Sequence, residues 1–372
     1  MEPKIRFKGF EGGWKEERLS EISSSIASGK NIDHKGPYPL YGSTGIIGTT
    51  DKPYHEGPML LVARVGANAG FLQLVNEKCG VSDNTLIVKP KDPVTDNYLF
   101  QYFKFFNLNR FIYGSGQPLI TGGMLKKMPV RYGLKEERET LIDYFTSLDS
   151  QISASTSRLA SLKQMKAASL QAMFPQEGET VPKIRFKGFE GEWKKVKLGK
   201  LFSERIENNV DGEMLSVTMN NGIIKAAENG RFDNSNSDKS KYKVVKVGDI
   251  AYNSMRMWQG ASGCSQYEGI VSPAYTVVVP NANIHSLFFA YLFKTIPMIN
   301  LFRLHSQGLT KDTWNLKYPA FSIIEVSYPE SKAEQQAIAT YFTSLDRQIS
   351  LQSQRLEKLK QIKSACLDKM FV

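Results

Sequence analysis

Between Leu134 and Phe174, and again between Ser331 and Val372, the chain contains neither glycine nor proline. Each run can therefore propagate one unbroken helix of about 35 to 40 residues, roughly 55 Å long at ~1.5 Å per residue. Helices of that length seldom serve as core elements of a compact domain. The two runs also share a text: Tyr144-Phe-Thr-Ser-Leu-Asp149 with Gln151-Ile-Ser153 returns as Tyr341-Phe-Thr-Ser-Leu-Asp346 with Gln348-Ile-Ser350. Around each copy the apolar residues alternate in steps of three and four. They are Leu141, Phe145, Leu148, Ile152, Leu159 and Leu162 in the first run, and Ile338, Phe342, Leu345, Ile349, Leu356 and Leu359 in the second. That spacing is a heptad seam.

Polar residues interrupt the seam at Ser155, Lys166 and Ser169, and at Gln352, Lys363 and Cys366. This is too polar for a high-order bundle, but a two-helix pairing with one wet side tolerates it. The obvious mate of each helix is the other, the competing arrangement being two amphipathic helices packed on separate domains.

A second repeat fixes the organisation. Pro3-Lys-Ile-Arg-Phe-Lys-Gly-Phe-Glu-Gly-Gly-Trp14 recurs as Pro182-Lys-Ile-Arg-Phe-Lys-Gly-Phe-Glu-Gly-Glu-Trp193 with a single change. The chain is thus two tandem units, each a lead-in segment, a variable globular region and a long helix. The expected boundaries are 1–133 for the first globular domain with its lead-in and 134–174 for the first helix. A proline-bounded linker follows at 175–182, then the second domain at 183–329 and the second helix at 330–372. Pseudo-twofold symmetry would bring the two chain ends together.

Short strands and turns dominate both variable regions. In the first they are Tyr38 to Gly48, Met59 to Val65, Asn84 to Lys89 and Met128 to Tyr132, crossed by one apolar helix from Asn97 to Phe111. In the second they are Lys243 to Val247, Asp249 to Tyr252, Ala274 to Val279 and Phe321 to Val326, with a helix from Ser286 to Phe302. The fold class is α+β, with two strand-rich domains and two long helices. Ser331-Lys-Ala-Glu334 predicts a capping box that starts the second helix.

The chemistry implied is binding rather than catalysis. Of the net charge of +11, the helix runs 134–174 and 330–372 carry zero and +2, which leaves +9 on the remainder, so the globular regions are the ones suited to a polyanion. Cys79, Cys264 and Cys366 form no Cys-x-x-Cys pair, and the four histidines, His34, His55, His285 and His305, lack metal-ligand spacing. Gly42-Ser-Thr-Gly45-Ile-Ile-Gly48 lacks the Lys-Ser/Thr ending of a phosphate loop and reads as a tight turn. No nucleophile elbow or nuclease-type acidic cluster occurs. The most apolar stretch is interrupted by Lys294 and Pro297, and the first residues lack a leader's apolar stretch, so a cytoplasmic protein with no membrane contact is expected.

Gly-bounded polar loops punctuate the strands. They present Arg64 and Asn68; Ser115, Gln117 and Thr121 with Lys126 and Lys127; Asn253, Arg256, Trp258 and Gln259; and His305, Gln307 and Lys311. Arg, Asn, Gln, Ser and Thr read base edges, whereas Lys and glycine amides hold phosphates. Four such loops on two basic domains point to double-stranded DNA. Trp258 reads equally well as an apolar anchor beneath its loop.

The whole chain resembles the specificity subunit of a Type I restriction-modification enzyme. The stretches that carry the resemblance are Tyr38-Pro-Leu-Tyr-Gly-Ser43 with Gly45-Ile-Ile-Gly48, Gly116-Gln-Pro-Leu-Ile-Thr121, Met255-Arg-Met-Trp-Gln-Gly260, Val271-Ser-Pro-Ala-Tyr275 and Glu334-Gln-Gln-Ala-Ile338. In the first helix Glu137-Arg-Glu-Thr-Leu141 departs from the Glu-Gln-x-x-Ile pattern. The resemblance implies two target recognition domains separated by two helices that pair antiparallel as a coiled coil. Each domain would read half of a bipartite, asymmetric site. The helices would act as a ruler and dock two methylation subunits, with Phe145, Leu148, Ile152, Leu159, Leu162, Phe342, Leu345, Ile349, Leu356 and Leu359 along the pair. Such a chain binds no cofactor itself; S-adenosylmethionine, ATP and Mg²⁺ belong to the methylation and restriction/translocation subunits. A stand-alone methyltransferase or nuclease would need motifs that are missing here, and a coiled-coil scaffold would not need +9 on its globular parts.

Overall fold

A computed structural model describes residues 2–30, 35–111, 118–219, 221–229 and 238–372. The chain divides into two compact units, Met1–Ser157 with Ser353–Val372, and Arg158–Gln352. Both long helices are therefore shared between the units.

In the first unit the order is β1 (Lys15–Arg18), α1 (Leu19–Ile22), β2 (Ser23–Ser28), β3 (Tyr38–Gly42), β4 (Gly45–Thr50), β5 (His55–Glu56), β6 (Met59–Ala63), β7 (Leu72–Val75), β8 (Lys78–Val81), β9 (Thr85–Pro90), α2 (Pro93–Phe106), α3 (Gly122–Lys127), β10 (Pro129–Tyr132) and the long α4 (Lys135–Ala172). Among the described residues three sheets form, ordered β2-β9-β6-β7, β4-β3-β8-β5 and β1-β10. The sequence expectation of a helix from Asn97 to Phe111 needs correction at both ends. Asp92 caps the helix by accepting from the Thr95 amide at 3.0 Å, so it starts four residues earlier. Asn107, in the left-handed region at φ 55°, closes it. The turn from Gly42 to Gly45 joins β3 to β4 as a hairpin.

The second unit continues with β11 (Lys194–Lys197), β12 (Phe202–Glu204), β13 (Leu215–Thr218), β14 (Gly222–Lys225), β15 (Lys243–Val245), β16 (Ile250–Asn253), β17 (Ser262–Cys264), β18 (Gly269–Val271), β19 (Tyr275–Pro280), α5 (Ser286–Leu292), α6 (Ile296–His305), α7 (Tyr318–Ser322), β20 (Glu325–Tyr328) and the long α8 (Lys332–Met370). Its sheet β12-β19-β16-β17 repeats the order β2-β9-β6-β7. Register repeats as well: Val62 faces Leu86 and Tyr252 faces Thr276, both pairs being antiparallel neighbours of the central strands. The expected helix over 286–302 is broken. Phe293 to Thr295 bend it by 82°, and Pro297 sits in the first turn of α6, where its missing amide costs nothing. Among the described residues no single helix is long and apolar enough to cross a membrane, and this bent pair buries Phe288, Phe289, Leu292, Met298 and Phe302 in its unit's core. The expected strand from Phe321 is also corrected, since Phe321 and Ser322 end α7 and the strand begins at Glu325.

Each unit closes on a buried carboxylate. Arg6 binds Glu137 through two nitrogens at 2.7 and 2.8 Å while the Trp14 indole donates to the same carboxylate at 3.2 Å. Arg185, Glu334 and Trp193 repeat this at 2.7, 2.8 and 3.3 Å. Both glutamates are 1% exposed. The capping box at Ser331 is consequently only half made: its hydroxyl accepts the Glu334 amide at 3.3 Å, but the Glu334 side chain is held by Arg185 and Trp193.

The ends of the long helices plug the cores. Phe371 stacks on Phe105 and packs against Tyr98, Tyr102, Phe145 and Trp14 in the first unit. Phe174 meets Trp193, Phe288 and Phe342 in the second. The Ile5 amide donates to Lys369 at 3.0 Å, just as the Ile184 amide donates to Ala172 at 2.8 Å. The first-unit bond thus joins the beginning of the chain to its end through the contact that the linker makes covalently continuous in the second.

Candidate nucleic-acid interface

In the first unit β6 runs out at Ala63 into the turn that carries Arg64 and Asn68. Asn84 and Ile120 fix its start: the Arg64 amide donates to the Asn84 carbonyl at 2.9 Å, and the Arg64 carbonyl accepts from Ile120 at 2.8 Å. Gly66 donates to Pro118 at 3.0 Å, and Val65 bridges Leu119. The turn is thereby tied to the segment that ends at Thr121, although more than fifty positions separate them in sequence. Asn68 is exposed. Arg64 is half-buried, with one terminal nitrogen 3.5 Å from Ser28 Oγ and its Nε lacking a partner among the described residues. Thr121 spends its hydroxyl as the cap of α3, accepting from the Met124 amide at 3.2 Å. Lys126 and Lys127 stand exposed in the last turn of that helix, where cations also suit the helix dipole. Ser115 and Gln117 lie outside the described residues.

The second unit repeats this frame with other side chains. The Ser254 amide donates to Ala274 at 3.1 Å, and its carbonyl accepts from Leu316 at 2.8 Å. Ser254 therefore occupies the place of Arg64, Ala274 that of Asn84 and Leu316 that of Ile120. The turn that follows is built by its own side chains. Asn253 Oδ1 accepts the Met255 amide at 3.0 Å, Trp258 Nε1 donates to the Met255 carbonyl at 3.0 Å, and an Arg256 nitrogen donates to Gln259 Oε1 at 3.1 Å. Met257 is the fully buried anchor, whereas Arg256 and Gln259 are exposed. Trp258 is half-buried and packs edge-on against Trp314, with centroids 5.3 Å apart at 76°.

That contact draws in the last of the four sequence loops. Gln307 and Asn315 exchange backbone bonds of 3.0 and 2.8 Å, so Gln307 and Lys311, both exposed, sit on a hairpin-like excursion whose return strand carries Trp314. His305, the last residue of α6, turns its Nδ1 back to the Leu301 carbonyl at 2.9 Å and is half-buried. Trp314 and Lys294, which holds the turn from behind, carried no sequence signal. Nor did the β13–β14 hairpin beside them. Among the described residues no group of His, Cys, Asp or Glu is placed to hold a metal ion.

Along the long helices, the apolar seam is divided between the two cores and the stretch of helix between them. Phe145 and Leu148 are buried in the first unit's core, and Phe342 and Leu345 in the second's, while Ile152, Leu159, Leu162, Ile349 and Leu359 are half-buried and Leu356 is buried. Hydrogen bonds and ion pairs also link the two helices. In the first unit Tyr144 meets Cys366 at 3.3 Å, and Lys363 pairs with Asp149. In the second, Lys166 donates to Asp346 at 2.5 Å, and the Ser169 and Tyr341 hydroxyls lie 2.9 Å apart. Within each unit the two helix segments accordingly run antiparallel.

One frame is used twice, with unlike turns at equivalent ends of like sheets, so the chain is a duplicated two-unit protein. The sequence profile of the Type I restriction modification DNA specificity domain matches residues 11–164 and 190–361, and the chain belongs to that family. The specificity subunit of the Type I restriction enzyme EcoprrI from Escherichia coli is 26% identical over 159 residues, a match spanning 40% of this chain and 40% of that one. The Type I restriction-modification S subunit from M. genitalium shares the fold at 14% identity, with a TM-score of 0.66 over 100% of this chain and 99% of its own. A chain from a structure of Type I restriction-modification complex assembly aligns at a TM-score of 0.50 and 16% identity, over 97% and 98% of the two chains.

Proposed function

We propose that this chain is the sequence-reading subunit of a Type I restriction-modification assembly acting on cytoplasmic double-stranded DNA. Each unit reads one half of a bipartite, asymmetric target; the paired helices fix the spacing and dock two methylation subunits. The chain carries no chemistry of its own. Methyl transfer from S-adenosylmethionine belongs to the methylation subunits, and ATP- and Mg²⁺-dependent translocation and cleavage to restriction subunits.

One observation carries this reading: Arg64 and Ser254 hold the same backbone bonds in the same frame, yet the turns beyond them differ in every exposed side chain. Equal frames with unequal turns suit two unlike half-sites. Arg256 and Gln259, and Arg64 and Asn68, supply donors and acceptors for base edges, each good bidentate contact carrying about 1–3 kcal/mol. Lys126 and Lys127 supply charge for phosphates. Selection of duplexes from a random-sequence pool by the chain assembled with methylation subunits should return two unlike short half-sites around an unspecified spacer. Arg64→Ala with Asn68→Ala should relax one half alone. Relaxation of both halves together would defeat the assignment of one unit to each.

A further inference from the structure

Lys294 lies in the bend between α5 and α6, and its ammonium points into the back of the second unit's reading turn. All three of its protons are taken by backbone carbonyls: Ser262 at 2.8 Å, Met219 at 3.1 Å, and Gly260. Gly260 ends the turn that bears Arg256, Trp258 and Gln259, Ser262 opens the strand leaving it, and Met219 stands in the turn of the β13–β14 hairpin. No carboxylate contacts the ammonium among the described residues. A half-buried ammonium that donates only to backbone carbonyls does one thing well, which is to hold two backbone segments, the turn's exit and the hairpin turn, at a fixed separation.

The hairpin and the strand are already pressed together there. A Cβ on Gly263 would lie 2.7 Å from Gly222 Cα, so the clamp has no slack on that side. Gly260 takes φ +83°, and a Cβ there would lie 3.3 Å from Ile299 and 3.8 Å from the Lys294 stem, so the turn's exit favours glycine. The equivalent lysine of the first unit, Lys104, does something else: it lies over the Phe100 ring at 3.9 Å and reaches Asp149 at 3.5 Å. Among the described residues the first unit's turn has no such clamp.

We propose that Lys294 is a positioning residue for the second half-site, fixing the turn of Arg256 and Gln259 against the β13–β14 hairpin so that both meet DNA as one preformed surface. This rests on the reading of the second unit as a half-site reader. Burial moves the lysine down to about 8; Lys166, from the first long helix, pushes in the same direction, and Asp346, from the second, opposes. The clamp therefore opens at mildly alkaline pH: the neutral amine has two protons for three carbonyls and turns a lone pair toward one of them.

The test uses the full chain with methylation subunits and duplexes carrying the selected target or versions with one half scrambled. Lys294→Met should lower discrimination at the second half about tenfold, the size of one good base contact, with the first half and binding to the doubly scrambled duplex unchanged. Lys104→Met should leave second-half discrimination intact. Raising the pH from 7 to 9 should erode second-half discrimination in the wild-type chain and leave the Lys294→Met chain flat. Retained second-half discrimination in a folded Lys294→Met chain, or the same pH profile with and without Lys294, would overturn the proposal. A wild-type chain that discriminates neither half would instead overturn the functional reading beneath it.

Discussion

Replacing Glu334 by leucine removes the acceptor at the centre of the second unit's closure. The wild-type carboxylate is 2% exposed at its side chain and takes two bonds from Arg185, itself 14% exposed, and a third from the Trp193 indole. Leucine leaves the guanidinium buried without its counter-charge, and breaking a buried pair from one side costs about 3–5 kcal/mol. For a unit of this size each kcal/mol moves the thermal midpoint by about 2–4 °C. The expected loss is therefore about 6–20 °C, read by thermal unfolding followed through Trp fluorescence, to which Trp193 contributes directly. Arg185→Met on top of Glu334→Leu should recover much of the loss, because an apolar pair leaves no stranded charge. The first unit supplies a replicate: Glu137→Leu strands Arg6 in the same geometry and should cost a similar amount. A Glu334→Leu midpoint within about 2 °C of wild type would refute the argument that these triads hold the lead-in segments to the helices.

Three further outcomes are expected. Lys126→Ala with Lys127→Ala should weaken binding to all sequences alike and flatten the plot of log K against log[salt] by ~0.9 per lost phosphate contact; an unchanged slope would remove both from the interface. Asp96 is buried with an unpartnered oxygen, and burial raises it to about 6, whereas an unfolded aspartate titrates near ~3.9. The folded chain thus takes up a proton between those values, so Asp96→Asn should raise the thermal midpoint most above pH 6, with the advantage shrinking toward pH 4; an advantage independent of pH would be contrary. Four residues inserted after Ser155 lengthen that helix by ~6 Å with only ~40° of rotation, so methylation mapping should show the target's spacer grown by one or two base pairs at ~3.4 Å each. An unchanged spacer with normal activity would show that the helices are not the ruler.

The duplication was legible in the residues themselves, because repeated text at Pro3 to Trp14 and Tyr144 to Asp149 needs no coordinates to be seen. So were the long helices, since uninterrupted runs without glycine or proline have few alternatives. The central strands followed from their short apolar runs between turns. Local sequence could not decide what the seam packs on. Phe145 and Phe342 satisfy a heptad as well as a domain core, and only the arrival of Phe371 and Phe174 beside them makes them core residues. Nor could it show why Glu137 and Glu334 are equivalent when their neighbours Arg138 and Gln335 differ. Each neighbour holds the start of a different crossing helix, Arg138 through Thr95 and Asp92 and Gln335 through the His285 amide. The two polar turns show the same division. Their polar residues were visible as types, but the meeting of Ser254 with Leu316, of Trp258 with Trp314, and of Lys294 with three carbonyls joins segments far apart in the chain. Residue spacing records periodic burial along one element, whereas these contacts depend on which elements the folded core brings side by side.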